Sequence, residues 1–308
     1  VTCYRPLTAF KPLDGGPVSF SEKKGHREIQ LPCGQCIGCR IRKREEWAIR
    51  CYCESKMHRD NVFLTLTYDD DHVPPDGSLD YRHFQLFMKR ARKKLGPFRF
   101  FMCGEYGETT QRPHYHALFF GLAVHDRVRS NSVHARSIVY DSETIRALWG
   151  KGNISIGDVT YASARYCAVY ATKKITGARA AEHYQRVNPY TGEIHAIEPE
   201  FARMSLGGRR DGLGGIGLSW LRRYWRDLYE SSSGGMVIDG KVKPIPRFFD
   251  THMEVIAHEV LESHQFERFQ AAMSNSENHT PDRLLVREEC AHAKERFYKE
   301  SNNAIQGV

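Results

Sequence analysis

The sequence predicts an α+β fold, antiparallel strands with helices packed on them, between a Cys-rich N-terminal segment and a helical C-terminal tail. Three observations lead there. Two apolar runs, residues 98–103 (Phe-Arg-Phe-Phe-Met-Cys) and 113–120 (Pro-His-Tyr-His-Ala-Leu-Phe-Phe), are separated by Gly, Thr and Pro residues of the kind that connect a hairpin. Residues 81–95 repeat Phe84, Phe87, Met88 and Ala91 at helical spacing, an apolar stripe suited to lie on a sheet. Residues 160–177 are small and helix-compatible, with Lys173 and Lys174 in the expected last turn and Gly177 as a stop.

In chain order, residues 1–60 read as the Cys-rich segment and a basic helix. Cys33, Cys36 and Cys39 form a C-x-x-C-x-x-C run, Cys3 can fold back to join them, and Cys51 and Cys53 lie on the next helix. Nine cysteines are an odd number, and no charged-then-apolar leader precedes them, so a complete disulfide framework is not expected. Four thiolates around Zn²⁺ would staple a loop-rich N-terminus to a helix beginning near Ile41; a set of reduced thiols, some of them buried, is the alternative. A closed four-thiolate site leaves no position for substrate, so any such zinc is structural.

Residues 61–180 read as the catalytic unit, and a strand over 153–160 leads into the helix of 160–177. Residues 181–250 read as an extension with a Pro-Tyr-Thr-Gly turn at 189–192, a Gly-rich loop over 207–215 and a helix over 219–229. That loop either approaches a phosphate backbone or serves as a flexible connector. Residues 251–308 read as an acidic helical tail, interrupted over 274–281, whose histidines sit among Glu residues on a helix surface. His258-Glu259 lacks the second histidine of a zincin motif.

The formal charge is +8, but residues 251–308 carry 6 Lys or Arg against 10 Asp or Glu, which leaves 39 against 27, or +12, on residues 1–250. Phosphate-neutralising contacts would account for that excess and would make binding salt-sensitive. Basic clusters at Arg40, Arg42, Lys43 and Arg44, and at Lys89, Arg90, Arg92, Lys93 and Lys94, are solvated helix faces or DNA contacts. Trp47, Phe98 and Phe100 near them either stack bases or pack in the core. No apolar run approaches the roughly 18 to 20 residues of a membrane span. No Gly-x-x-x-x-Gly-Lys-Ser/Thr occurs, so unwinding by an ATPase of this chain is not expected and a host helicase is implied.

Chemistry concentrates at two places. In a strand His114 and His116 project to one face, with Tyr115 on the other. An antiparallel pairing with residues 98–105 would bring the Glu105 carboxylate to the two imidazoles. Two nitrogens and one oxygen, with positions left open, suit Mg²⁺ or Mn²⁺ in phosphoryl transfer; a structural or surface histidine pair is the alternative. On the helix of 160–177, Tyr166 and Tyr170 are four apart and Lys173 three further, so the three share a face. A phenol, with pKa about 10, attacks phosphate only when a cation or metal-bound phosphate favours its phenolate. Aromatic packing of helix on sheet is the alternative.

These motifs together resemble the replication initiators of the HUH endonuclease superfamily, most of all those of the gokushovirus-type microviruses, single-stranded DNA phages. Phe63-Leu64-Thr65-Leu66-Thr67-Tyr68 resembles the opening motif, with Thr65 and Thr67 on one face. His114-Tyr115-His116 resembles the histidine motif, with Glu105 where related nucleases recruit a carboxylate, and Tyr166, Tyr170 and Lys173 resemble the two-tyrosine motif. The resemblance covers roughly residues 1–250, including Pro32 to Arg40, Met204-Ser205, Gly215 to Gly217 and Pro246-Arg247. Residues 207–217 carry more Gly and Arg than the family pattern.

The resemblance implies a central antiparallel sheet with His114 and His116 on its middle and the tyrosine helix across the same face. It implies a metal held by Glu105, His114 and His116, and attack by one tyrosine on single-stranded DNA at a replication origin to give a 5′-phosphotyrosine and a free 3′ hydroxyl. The second tyrosine then permits closure of a circle, and Lys173 neutralises phosphate charge. Host helicase and DNA polymerase are the implied partners and the bacterial host's cytoplasm the implied location, with no membrane. A related HUH transposase or relaxase, or a non-catalytic zinc-dependent nucleic-acid-binding protein, are the other readings.

Overall fold

A computed structural model of the chain describes residues 3–107, 110–130, 138–170, 174–175, 179–187, 192–207, 212, 214–231 and 234–306, without the side chains of Tyr170, Arg179 and 298–306. In chain order the elements are β1 (Leu7–Pro12), β2 (His26–Leu31), α1 (Ile37–Ser55), β3 (Asn61–Thr67), α2 (Tyr81–Leu95), β4 (Arg99–Tyr106), β5 (Pro113–Phe120), β6 (Val128–Arg129) and β7 (Tyr140–Asp141). There follow α3 (Glu143–Trp149), β8 (Ile154–Gly157), α4 (Tyr161–Tyr170), α5 (Arg179–His183), β9 (Gln185–Val187), β10 (Ile194–Ala196), β11 (Phe201–Met204) and α6 (Leu218–Tyr229). Last come β12 (Met236–Ile238), β13 (Lys241–Lys243), α7 (Arg247–Ile256), α8 (His258–Met273) and α9 (Pro281–Gln306). The chain divides into two compact units, residues 1–43 with 262–308, and residues 44–261.

The unit of residues 44–261 is built on a seven-stranded sheet in the order β11-β4-β5-β3-β8-β7-β6, antiparallel at every pairing. The pleat sorts its side chains. Leu64 and Leu66 of β3, Phe100 and Met102 of β4, and Tyr115, Ala117 and Phe119 of β5 face the predicted α2 stripe, with Ile145, Leu148 and Trp149 of α3. On the opposite face Phe101 and Cys103 of β4 and Leu118 and Phe120 of β5 meet Cys51 of α1 and Ala164 and Cys167 of α4. Helices therefore cover both faces, which is why β4 and β5 read as continuous apolar runs rather than alternating ones. A third cluster joins Ala48, Ile49 and Cys53 of α1 to α6, α7 and the β12–β13 hairpin. Gly104 of β4 is required by close approach, because a Cβ there would come within 3.1 Å of Leu79 and Phe201.

The other unit holds the β1–β2 hairpin, Leu7 opposite Leu31, where the sequence suggested only loops. It also holds the helices of the tail, broken between Met273 and Pro281. The α+β class and the Cys-rich and helical flanks are thus present. Local expectations differ in four places. The helix expected over 160–177 stops being helical before Lys174 and Ile175, where the Ile175 N–H donates to the Tyr184 phenol at 2.9 Å instead of to a helical carbonyl. The strand expected over 153–160 ends at Gly157, because Thr160 caps α4: its hydroxyl accepts the Ser163 N–H at 3.1 Å and its own N–H donates to the Ser163 hydroxyl. Helix α1 begins at Ile37, a turn before Ile41. His264 of the tail is buried rather than on a surface. The turn at 189–191 and most of the Gly-rich loop lie outside the described residues.

Candidate metal centre

Strand register builds the site. The β4–β5 pairing sets Glu105 opposite His114 and Cys103 opposite His116, and the β3–β5 pairing sets Thr67 and Thr65 opposite the two histidines from the other side. Side chains at paired positions share a face, so a carboxylate, two imidazoles and two hydroxyls meet there. Glu105 Oε1 lies 2.9 Å from Nε2 of His114 and 2.9 Å from Nε2 of His116. Their ligand atoms fall within 4.8 Å of one another, in surroundings that leave Glu105 only 2% and His116 5% exposed.

The other ring nitrogens fix what these atoms present. Nδ1 of His114 donates to the Arg112 carbonyl at 3.2 Å; a carbonyl can only accept, so Nδ1 carries the proton and Nε2 turns a lone pair to Glu105. Nδ1 of His116 lies 2.9 Å from the Thr65 hydroxyl, an acceptor that allows the same tautomer. Two nitrogen lone pairs and a carboxylate oxygen then converge, an arrangement that repels itself unless a proton or a cation lies among them. The donor set fits a divalent metal, with oxygen and nitrogen ligands and room for others. Thr65→Val keeps the shape and removes that acceptor. The Mn²⁺ affinity of the full chain, read by titration, is expected to fall about 10- to 100-fold with the fold retained, and an unchanged affinity would dismiss the hydroxyl as an orienting group.

Aromatic rings border the cluster. Phe63 stacks on His116 at 5.8 Å between centroids and 21° between planes, and Tyr166 meets His116 edge-on at 5.1 Å and 81°. Tyr166 is 42% exposed. It reaches the site because α4 lies on the histidine face of the sheet, its Cys167 thiol 3.7 Å from the Cys103 sulfur and 3.7 Å from the His116 carbonyl. The first turns of α4 are tied down elsewhere. Tyr161 donates to the Glu45 carboxylate, Arg165 Nε lies 3.0 Å from it, and Lys243 3.4 Å. Burial alone would raise the Glu45 pKa, but the Tyr161 hydrogen bond and the charges of Lys243 and Arg165 outweigh it and hold the carboxyl low. Burial and that same carboxylate push the Tyr161 phenol up, which suits an anchor and not a nucleophile.

Of the residues singled out by sequence, Glu105, His114, His116 and Tyr166 are brought together. Tyr170 is the last residue of α4, described by its backbone alone, and Lys173 lies outside the described residues. In the other unit Cys3, Cys33, Cys36 and Cys39 form a second group able to hold a metal, with ligand atoms within 4.8 Å of one another. Burial would raise the Cys36 thiol, yet the N–H groups of Cys39 and Tyr4 bring it down to about 7. Part of one basic cluster is spent on structure: Arg90 donates to the Leu148 and Trp149 carbonyls at 2.9 and 3.1 Å, and Arg92 to the Phe98 carbonyl at 3.2 Å. Trp47 packs on Phe101 at 4.9 Å, and Phe98 and Phe100 are buried, so these rings serve the core. Sequence reasoning missed the contacts of Phe63, Thr65 and Glu45. For the first two the period-2 pattern of β3 placed them on one face, but nothing local named the strand opposite.

Comparison with known proteins agrees on one family. The family model for the replication-associated protein ORF2 matches residues 61–175, from β3 through the tyrosine helix to Ile175. The chain is 36% identical over 261 residues to Replication-associated protein VP4 of Bdellovibrio phage phiMH2K, covering 80% of this chain and 75% of that protein. It is 30% identical over 279 residues to Replication-associated protein ORF2 of Spiroplasma virus 4, covering 82% and 81%. Replication-associated protein ORF4 of Chlamydia phage 1 is 30% identical over 153 residues, covering 47% and 38%. No solved structure matches the chain.

Proposed function

Since the chain belongs to the replication-associated protein family, as a replication initiator of the gokushovirus type, we propose that it starts rolling-circle replication by nicking and rejoining single-stranded origin DNA through a 5′-phosphotyrosine. The observation that carries this reading is the convergence of Glu105, His114 and His116 with the half-exposed ring of Tyr166 edge-on to His116. Glu105, His114 and His116 would hold Mg²⁺ or Mn²⁺, which when bound supplies polarisation of a nonbridging oxygen of the scissile phosphate.

The residues of the chain do the rest. Tyr166 or Tyr170 gives the phenol oxygen that attacks phosphorus; the P–O3′ bond breaks, the 3′ oxygen takes a proton and leaves as hydroxyl, and the 5′ phosphate stays on the tyrosine as an ester. The ester conserves the bond energy, so a 3′ hydroxyl can reverse the step without ATP. After one round the second tyrosine cleaves the regenerated origin, and the new 3′ hydroxyl attacks the first ester and closes a circle. Lys173, three residues beyond Tyr170, neutralises charge in the transition state. Phe63 and Thr65 keep the His116 ring in place, and the Glu45 anchor fixes the start of α4. The +12 on residues 1–250 favours contact with phosphates. The sequence holds no P-loop, so unwinding falls to a host helicase and extension of the 3′ hydroxyl to a host polymerase. Among the described residues no helix is long and apolar enough to cross a membrane.

The test is a denaturation-resistant protein–DNA adduct on the labelled single-stranded genome or an oligonucleotide pool. It is expected with Mn²⁺, absent with EDTA, and absent from the Tyr166→Phe, Tyr170→Phe double variant, which still binds DNA. Tight binding with no adduct under any metal would instead favour a non-catalytic binding protein.

A further inference from the structure

We infer that Cys3, Cys33, Cys36 and Cys39 bind one Zn²⁺ as a tetrathiolate, and that this ion stands in for a hydrophobic core in the unit of residues 1–43 and 262–308. The site is separate from the nuclease reading and does not rest on it.

The sulfurs come from two stretches 30 residues apart, with Cys3 Sγ 3.6 Å from Cys33 Sγ and 3.9 Å from Cys36 Sγ. None of the four is in a disulfide. Backbone N–H groups point at them throughout: Cys33 N at 3.3 Å from Cys3 Sγ, Cys36 N at 3.3 Å from Cys33 Sγ, and Tyr4 N and Cys39 N at 3.4 and 3.5 Å from Cys36 Sγ. Such donors stabilise sulfur that carries negative charge, and a neutral thiol gains little from them. Four thiolates around one Zn²⁺ supply that charge, each ligand giving up its proton on binding.

The second observation concerns the core. All three buried apolar clusters lie within residues 44–261. Among the described residues of the other unit, buried hydrophobic side chains are confined to Ala9, Cys36, Cys39, Leu284 and Ala291. So few buried groups do not offset the chain entropy of folding, and small units of this kind are held by staples. The thiol cluster sits where a staple is useful. Two residues beyond Cys3, Arg5 Nε lies 2.8 Å from the buried Glu288 carboxylate of α9, so fixing Cys3 also fixes the contact that ties this tail helix to the N-terminal segment.

The full chain, purified without chelator, should contain one zinc per chain by elemental analysis. A Glu105→Gln, His116→Ala variant should keep it, and a Cys36→Ser, Cys39→Ser variant should lose it. If the cysteine variant does not fold, the parent still decides: titrating its thiols with an organomercurial should release one equivalent of zinc. Hydrogen exchange should then lose protection in residues 1–43 and 262–308, while β3, β4 and β5 keep theirs. Reduced, metal-free chain should bind Co²⁺ with thiolate-to-metal absorption. The inference is overturned by a chain that binds neither Zn²⁺ nor Co²⁺ through its thiols, by zinc that leaves with the Glu105 and His116 substitutions, or by exchange unchanged after zinc release.

Discussion

Glu105→Gln is expected to leave the fold intact and to weaken Mn²⁺ binding at least about 100-fold, beyond what loss of an outer hydrogen-bond partner costs. The substitution keeps the shape of a side chain that lies 2.9 Å from both histidine Nε2 atoms. The Gln amide can donate to one imidazole lone pair, so the cluster loses its self-repulsion together with its charge. A metal ion, in contrast, loses an anionic ligand and keeps two neutral ones. Adduct formation on origin DNA should fall by about 10³-fold, the equivalent of about 4 kcal/mol of transition-state stabilisation. Calorimetric titration with Mn²⁺ and the adduct yield at saturating DNA measure the two effects. Binding that persists at parental strength would mean that Glu105 is no ligand.

Glu54→Ala is expected to cost the unit of residues 44–261 about 3–5 kcal/mol, a fall of roughly 6–20 °C in its thermal transition. Glu54 is fully buried in α1, with Arg99 Nε 2.8 Å from its Oε1, His58 Nε2 at 3.2 Å and the Gly217 N–H at 2.7 Å from its Oε2. Truncation takes the carboxylate from a guanidinium that is itself buried at the start of β4, the strand carrying Glu105. Replacing both partners, Glu54→Leu with Arg99→Met, should recover part of the loss, since the largest share is the charge left behind rather than the worth of the pair. Scanning calorimetry of the three variants checks this; equal Tm values for parent and Glu54→Ala would mean that water reaches the pair.

Both variants act on contacts that the sequence hides to different degrees. That His114 and His116 share a face follows from the pleat, a two-residue rule. That Glu105 reaches both follows from register across a connection, for which the turn residues between 104 and 113 were enough of a signal. Thr65 lies some fifty residues upstream of His116, and Glu54 more than forty before Arg99; no local pattern joins such pairs. Glu45 read as one charge on a basic helix, and only the approach of α4 turns it into the acceptor for Tyr161 and Arg165. Arg90 and Arg92 looked like phosphate contacts because composition cannot see the carbonyls that take up their N–H groups.

What the sequence alone determined are the features written within one turn or one pleat. These are the α2 stripe, the apolar runs of β4 and β5, the paired histidines, the tyrosines four apart and the cysteine spacing. The tertiary structure decided which strands lie side by side, where α4 stops, and which charges are spent inside the fold. The reason is range. Helical and strand periods are set by backbone geometry that each residue carries with it, whereas the meeting of Glu105, His116, Thr65 and Tyr166 exists only after distant segments have packed, and its energy is not assigned to any one of them.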